Sequence, residues 1–565
     1  LPLAATAASA QPIERHLPPA VQPEPQTIVA PNAVPADQDD TPIGPQLRSI
    51  VLIGTQDPLV ADSQQEIDTS RVARLNDESG RALLRPFVGR PLSRKLIAEI
   101  EAAIAGYYRG KGFPFVSLST PPQTIGSGIL QIRVIEFHDE AVTVSGTGEK
   151  DARHIRAGVR LQPNGAIDTR ALSADLDWLN RYPFRRVEAV FSPGTSLGAT
   201  DLQLRVTPTK PWEVYAGYVS SGSPSTGWNR YLLGGELGGA LGFGSLLSYQ
   251  FTVSDDFFVH DGKLFGNASH PRYVSHAVRA SLPIAPRQEI EFSFDHVEDN
   301  QKVDPFAVRQ LVDELSAGYR TSLSNIGALP GDLSVGIEAK RERRKTFFAG
   351  VNVLDLEVEV DQLYANWSWA ESDRHGRSNL DITLHDSPGG IGNHNNSTEF
   401  ALFSNGRVAS DRYAYINLSF TRLTRLADGW GASNSLYVQY SARPLPETEQ
   451  GGVGGIDLVR GYSLDDGAYD NVIVSRNEIR APSFTLVGRG TNLHDQLATF
   501  LFLDLGYGTS RGLTQDAALA SLGIGADYQL GTHLTANVTV ARALSGGIET
   551  RAGDWRVQGR ATLVF

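Results

Sequence analysis

The sequence contains no cysteine and no methionine. Without thiols there is neither a disulfide framework nor a thiolate metal or redox centre, and the lack is compatible with any compartment. Methionine is missing even at position 1, so the chain is expected to begin after its initiator. Positive charge is in deficit. Lys and Arg number 51 against 63 Asp and Glu, and the net charge of -12 argues against a nucleic-acid partner. The acidity is dispersed and reads as solvation. No uncharged apolar run reaches the roughly 18 residues that a membrane helix needs, so a membrane-spanning version of this chain is a β-barrel. G-x-S-x-G and H-E-x-x-H motifs are missing as well, and the twelve histidines are scattered. No enzyme activity, metal or cofactor is expected.

At 565 residues the chain should hold two or more domains. Residues 1–10 (LPLAATAASA) read as a signal-peptide remnant, because Ala8 and Ala10 bracket Ser9 before Gln11. Residues 11–45 carry prolines at 12, 18, 19, 23, 25, 31, 35, 42 and 45, an extended linker to which no fixed structure is assigned. Residues 46–137 then form a compact α+β unit in the order strand, helices, strand, strand. Its helix is marked by Leu96, Ile100 and Ile104 and stopped by Gly112 and Pro114. Residues 138–208 repeat that order, with Asp168 as an N-cap before Leu172, Leu176 and Leu179.

From residue 209 to 565 alternation at period two replaces helical spacing. Ile290, Phe292 and Phe294 oppose Glu289, Glu291 and Asp295, and Leu333, Val335 and Ile337 oppose Ser334, Gly336 and Glu338. About sixteen such segments start near 212, 229, 244, 272, 288, 309, 331, 355, 376, 413, 430, 471, 498, 520, 533 and 555, more than a soluble sandwich uses. An even number, long strands and alternately short and long connections fit an antiparallel outer-membrane barrel, ending on the aromatic Phe565. The basic stretch 340–345 is expected at a strand end as a solvated rim, with lipopolysaccharide contact as a lesser reading.

Two motifs stand out. Val459-Arg460-Gly461-Tyr462 lies in a long polar insertion, and Phe502, Asp504 and Gly506 share one face of a strand whose other face is Leu501, Leu503, Leu505 and Tyr507. Arginine and carboxylate can form a bidentate pair, and a lipid-facing Asp504 would be costly.

With its two POTRA-type modules, sixteen-strand barrel, R-G-Y and F-x-D-x-G motifs and terminal Phe565, the chain resembles the two-partner secretion transporters (TpsB), the haemolysin and haemagglutinin exporters. The resemblance implies that Val459 to Tyr462 form the tip of the sixth extracellular loop, folded into the lumen, with Arg460 pairing with Asp504. It implies a monomer in the outer membrane of a Gram-negative bacterium, with periplasmic N-terminal domains. Its partners would be a secreted TpsA-type protein, outer-membrane lipid and lipopolysaccharide. Members often carry an N-terminal helix that plugs the barrel; the prolines here make such a helix very short or absent. The expected function is export of an unfolded partner. An assembly factor for other barrel proteins and a passive solute pore are the alternatives.

Overall fold

The computed structural model describes residues 14–16, 18, 37–161, 165–259, 271–303, 305–327, 329–487, 494–514 and 516–565. The proposed signal remnant and most of the linker lie outside these residues. The chain divides into two units, Val21–Thr209 and a second made of Leu1–Ala20 with Lys210–Phe565.

The first unit holds two α+β modules. In the first, β1 (Pro42–Gln46) pairs antiparallel with β4 (Pro91–Ser93). A second sheet has the order β3-β2-β6-β5, from β2 (Ser49–Ile53), β3 (Ile67–Asp68), β5 (Val116–Ser119) and β6 (Ile129–Glu136). Helices α1 (Glu78–Leu84) and α2 (Arg94–Lys111) accompany it. Ser93 starts α2 by accepting the Leu96 N–H at 3.1 Å, and Gly112 ends it in the left-handed region at φ 93°. Between these caps Leu96, Ile100, Ile104 and Tyr108, four apart, form one buried face that joins Ile50, Leu52, Leu130 and Ile132 in the core.

The second module repeats the plan. Strand β7 (His138–Ser145) is followed by α3 (Glu149–Ala157), α4 (Thr169–Leu179), β8 (Arg185–Pro193) and β9 (Ala199–Pro208), in the sheet order β7-β9-β8. Asp168 caps α4, accepting from the N–H groups of Arg170 and Ala171 at 2.9 and 3.1 Å.

In the second unit sixteen antiparallel strands close into a barrel. They begin with β10 (Trp212–Val219), β11 (Arg230–Gly238), β12 (Leu246–Ser254), β13 (Tyr273–Ala285) and β14 (Gln288–Val303). Next come β15 (Phe306–Ser322), β16 (Asp332–Phe348), β17 (Val351–Asp373), β18 (Gly376–Ser387), β19 (Tyr413–Arg425) and β20 (Gly431–Ser441). After a small hairpin, β21 (Gly451–Gly452) with β22 (Ala468–Tyr469), the wall resumes as β23 (Asn471–Arg480) and β24 (Asp495–Thr509). Strands β25 (Asp516–Leu530), β26 (Leu534–Ala543) and β27 (Trp555–Val564) complete it. Pairing of β27 with β10, from Tyr215↔Val564 to Val219↔Arg560, removes the free edges, and the Phe565 N–H reaches the Val214 carbonyl at 2.9 Å. Every strand starts within four residues of its expected position; the widest offsets are 355 against Val351 and 520 against Asp516.

Alternation places the faces. Ile290, Val335, Ile337, Leu501 and Val557 are exposed on the outside, whereas Asp295, Ser334, Asp504 and Thr539 are buried on the lumen side. Aromatic rings lie across glycines of the wall: a Cβ at Gly336 would clash with the Ala317 carbonyl oxygen and sit 2.7 Å from the Tyr364 ring, so only glycine fits. One rim carries the turns 286–287, 374–375 and 531–533 near the chain end, and the other carries the loops 388–412 and 442–470. The former of these two loops contains α5 (Ser397–Phe403).

The stretch 340–345 departs from its expected place. It lies within β16, not at a strand end, so its side chains alternate and are already paired. Lys340 and Arg344 turn inward to Glu449 and Glu447, while Arg343 and Lys345 meet Glu357 and Asp355 of β17.

Candidate functional site: a loop folded into the lumen

The loop 442–470 leaves the barrel wall after β20 and folds back into the lumen. At its tip the Arg460 Nε lies 2.7 Å from Asp504 Oδ2 and its Nη2 lies 2.8 Å from Oδ1, a two-pronged pair. The Arg460 backbone N–H adds a third bond to Asp504 at 3.2 Å, and Nη1 reaches Glu478 on β23 at 2.7 Å. Arg460 is 2% exposed and Asp504 0%. Burial of two charges is tolerated here because each has several partners. The guanidinium also stacks 3.7 Å over the Phe502 ring.

The neighbouring motif residues have separate tasks. Gly461 adopts φ 89°, and a Cβ there would lie 2.9 Å from the Ala541 Cβ, so both backbone and space require glycine. Its N–H donates to Gln558 Oε1 at 2.8 Å. The Tyr462 hydroxyl lies 2.7 Å from the Ser545 carbonyl and 2.8 Å from that of Ala520. Val459 is buried with Val453, Tyr469, Val472, Val474 and Leu519. Gly506 makes room for that cluster: a Cβ there would meet Val453 at 2.5 Å and Val459 at 2.6 Å. Phe502, Asp504 and Gly506 thus lie two apart along one face of β24 and receive Arg460 and Val459 in turn.

Two parts of the site carry no clear sequence signal. The entry limb of the loop crosses to the opposite wall, where the Glu449 carboxylate accepts from Lys340 at 2.8 Å, Gln362 at 2.8 Å and Tyr415 at 2.5 Å. Residues 14–16, assigned no structure from the sequence, lie in the lumen without helical conformation. Glu14 pairs with the fully buried Arg230 at 3.0 Å, and its carbonyl accepts from Tyr273 at 2.7 Å. Arg15 reaches Glu314 at 2.7 Å and the Thr448 carbonyl at 2.9 Å. His16 offers its carbonyl to Gln250 at 3.0 Å. The one available hint was three polar residues flanked by prolines at 12 and 18. Glu14, Arg15, His16, Glu314 and Glu449 line a cavity of about 1020 Å³ together with Asp295, Glu338 and His385. This lumen is lined largely by polar side chains and holds two segments, residues 14–16 and the loop 442–470.

Comparison with known proteins gives this geometry a context. The family model for the haemolysin secretion/activation protein ShlB/FhaC/HecB matches residues 198–528, and the POTRA domain, ShlB-type, matches residues 64–136. The outer membrane transporter CdiB of Dickeya dadantii (strain 3937) is 22% identical over 464 residues, covering 78% of this chain and 77% of that protein. The hemolysin transporter protein ShlB of Serratia marcescens is 25% identical over 311 residues, 53% of this chain and 52% of its own. Among solved structures, CdiB from Escherichia coli superposes with a TM-score of 0.68 at 17% identity, covering 96% of this chain and 94% of the other. CdiB from Acinetobacter baumannii follows the same fold at a TM-score of 0.59 and 14% identity, covering 97% and 95%. With a family model matching more than half of its length, the chain belongs to the ShlB/FhaC/HecB haemolysin secretion/activation family, the outer-membrane transporters of two-partner secretion.

Proposed function

We propose that the two N-terminal modules capture an unfolded TpsA-type secreted partner by strand addition, and that the barrel passes it outward past the loop held by Arg460 and Asp504. The observation that carries this reading is the sheet order β7-β9-β8, in which β7 and β8 each pair with β9 and so form the sheet's two edges. An edge offers main-chain N–H and C=O groups to an extended polypeptide and asks little of its side chains, which suits a long unfolded client. The polar lumen then gives that client few apolar surfaces to adhere to. In this reading the protein carries out no covalent chemistry, works as a monomer, and meets outer-membrane lipid with its apolar band and lipopolysaccharide at its outer rim.

The motif Val459 to Tyr462 with Phe502, Asp504 and Gly506 sets the position of the loop and hence the conductance of the lumen. Arg460→Ala would alter both secretion and channel behaviour; wild-type values for both would end that assignment. Capture is tested by placing a photo-crosslinking amino acid at Val142 on β7, at Val190 on β8, and at Arg156 on α3 as a control. Adducts with one large secreted protein from an edge position but not from the helix support strand addition. Adducts from the helix alone would contradict it.

A further inference from the structure

The loop that carries Arg460 ends in Asp470, a carboxylate with no solvent exposure that receives donors from three extracellular loops. From the loop 388–412, Arg407 Nη1 lies 3.1 Å from both oxygens. From the loop 442–470 itself, the Leu445 N–H donates at 2.8 Å and Gln450 Nε2 at 3.0 Å, both to Oδ1. From the turn 510–515, the Arg511 N–H donates to Oδ2 at 2.7 Å, and its side chain returns to the Ser441 carbonyl at 3.1 Å. All these contacts are donors. A carboxylate can satisfy them together, whereas an amide must turn its own NH₂ toward one group of them.

We infer that Asp470 is a positioning residue for export, joining these three loops into one body that keeps the extracellular mouth shut between transport events. Its bonds to Leu445 and Gln450 fix the limb from which Glu449 reaches Lys340 at 2.8 Å, so the same carboxylate supports the second attachment of the lumenal loop. The loop 388–412 is seated beneath by Phe400, Phe403 and Val408, which pack on Val358 and Val360 of β17 and on Leu445. Arg407 therefore couples an apolar lid to the loop whose tip is Arg460. The tip pair is made by other groups, Arg460 with Asp504 and Glu478, so the two attachments can be weakened separately. This inference rests on the barrel lumen being the export route.

Asp470→Asn and Arg407→Gln, made in the full-length protein, test it. Loss of a charge-assisted hydrogen bond should raise the frequency of open-channel events in planar bilayers about tenfold. In intact cells trypsin should cut faster after Arg407 or Arg412 in the Asp470→Asn protein. The temperature at which the barrel unfolds in detergent should fall no further than in Asp504→Asn, so that more frequent opening at equal or higher stability separates release of the loops from a general loss of stability. Arg407→Lys, which keeps the charge, should restore closure in part. If Asp470→Asn fails to assemble, Arg407→Gln carries the test alone. Wild-type channel behaviour and an unchanged tryptic pattern in an assembled variant would overturn the inference. Absence of secretion in the wild-type strain would instead count against the export route.

Discussion

At the scale of single residues, the two motifs work because a strand repeats every two positions. Phe502, Asp504 and Gly506 share the lumen side of β24, and each meets a different part of the incoming loop. Asp504→Asn removes the main counter-charge of a buried arginine and leaves Glu478 as its remaining acidic partner. Breaking a buried pair by removing one member costs about 3–5 kcal/mol in dry sites. The detergent unfolding temperature of the barrel should fall and secretion should drop; an unchanged temperature would show that Arg460 relaxes into solvent. Gly506→Val separates space from charge. Its side chain would invade the places of Val453 and Val459, displacing the tip while both charged partners remain. Channel recordings like those of Arg460→Ala are expected, and wild-type recordings would mean that the apolar cluster does not set the tip.

At the scale of elements, legibility followed the strength of the local signal. Barrel strands were readable to within four residues because lipid on one side and lumen on the other enforce strict alternation. Helix α2 was readable from buried residues four apart and from its stop at Gly112, and α4 from Leu172, Leu176 and Leu179 and the Asp168 cap. Helix α1 was not singled out, since seven residues give less than two turns of periodicity, and its main marker is the Asp77 cap that accepts the Gly80 N–H at 2.6 Å. Strand β1 was hidden among prolines. A two-stranded ribbon can hold Pro42 and Pro45 because each strand pairs on one side only. Cap energetics give a direct check. Ser93→Ala should destabilise the start of α2 by about 1 kcal/mol, seen as faster amide exchange at Leu96 in the full-length protein. Equal exchange in the two proteins would show that packing of Leu96, Ile100 and Ile104 alone holds the helix start.

At the scale of the whole molecule, the barrel is a wall, and the proposed function rests on the loops within it. The wall follows from alternation, and so could be read from the sequence. Of the contents of the lumen only the loop tip at Val459 to Tyr462 was expected, through the resemblance; the rest was not legible, because Glu14, Arg15, Lys340 and Glu449 come from distant parts of the chain and meet only after closure. Two segments occupy the passage, one held by ion pairs near the N-terminus and one held at both walls. On the proposed route a chain moving outward displaces both, and polar attachments suit that task because their groups regain water when released.

Export is the claim from which the rest follows, and the most direct measurement is a comparison of extracellular and outer-membrane proteomes between a deletion strain and its parent. The account predicts that one large secreted protein disappears from the medium while other barrel proteins stay level. A joint fall of many barrel proteins would instead mark an assembly factor, and an unchanged secreted set would mark a passive pore; either result contradicts the account.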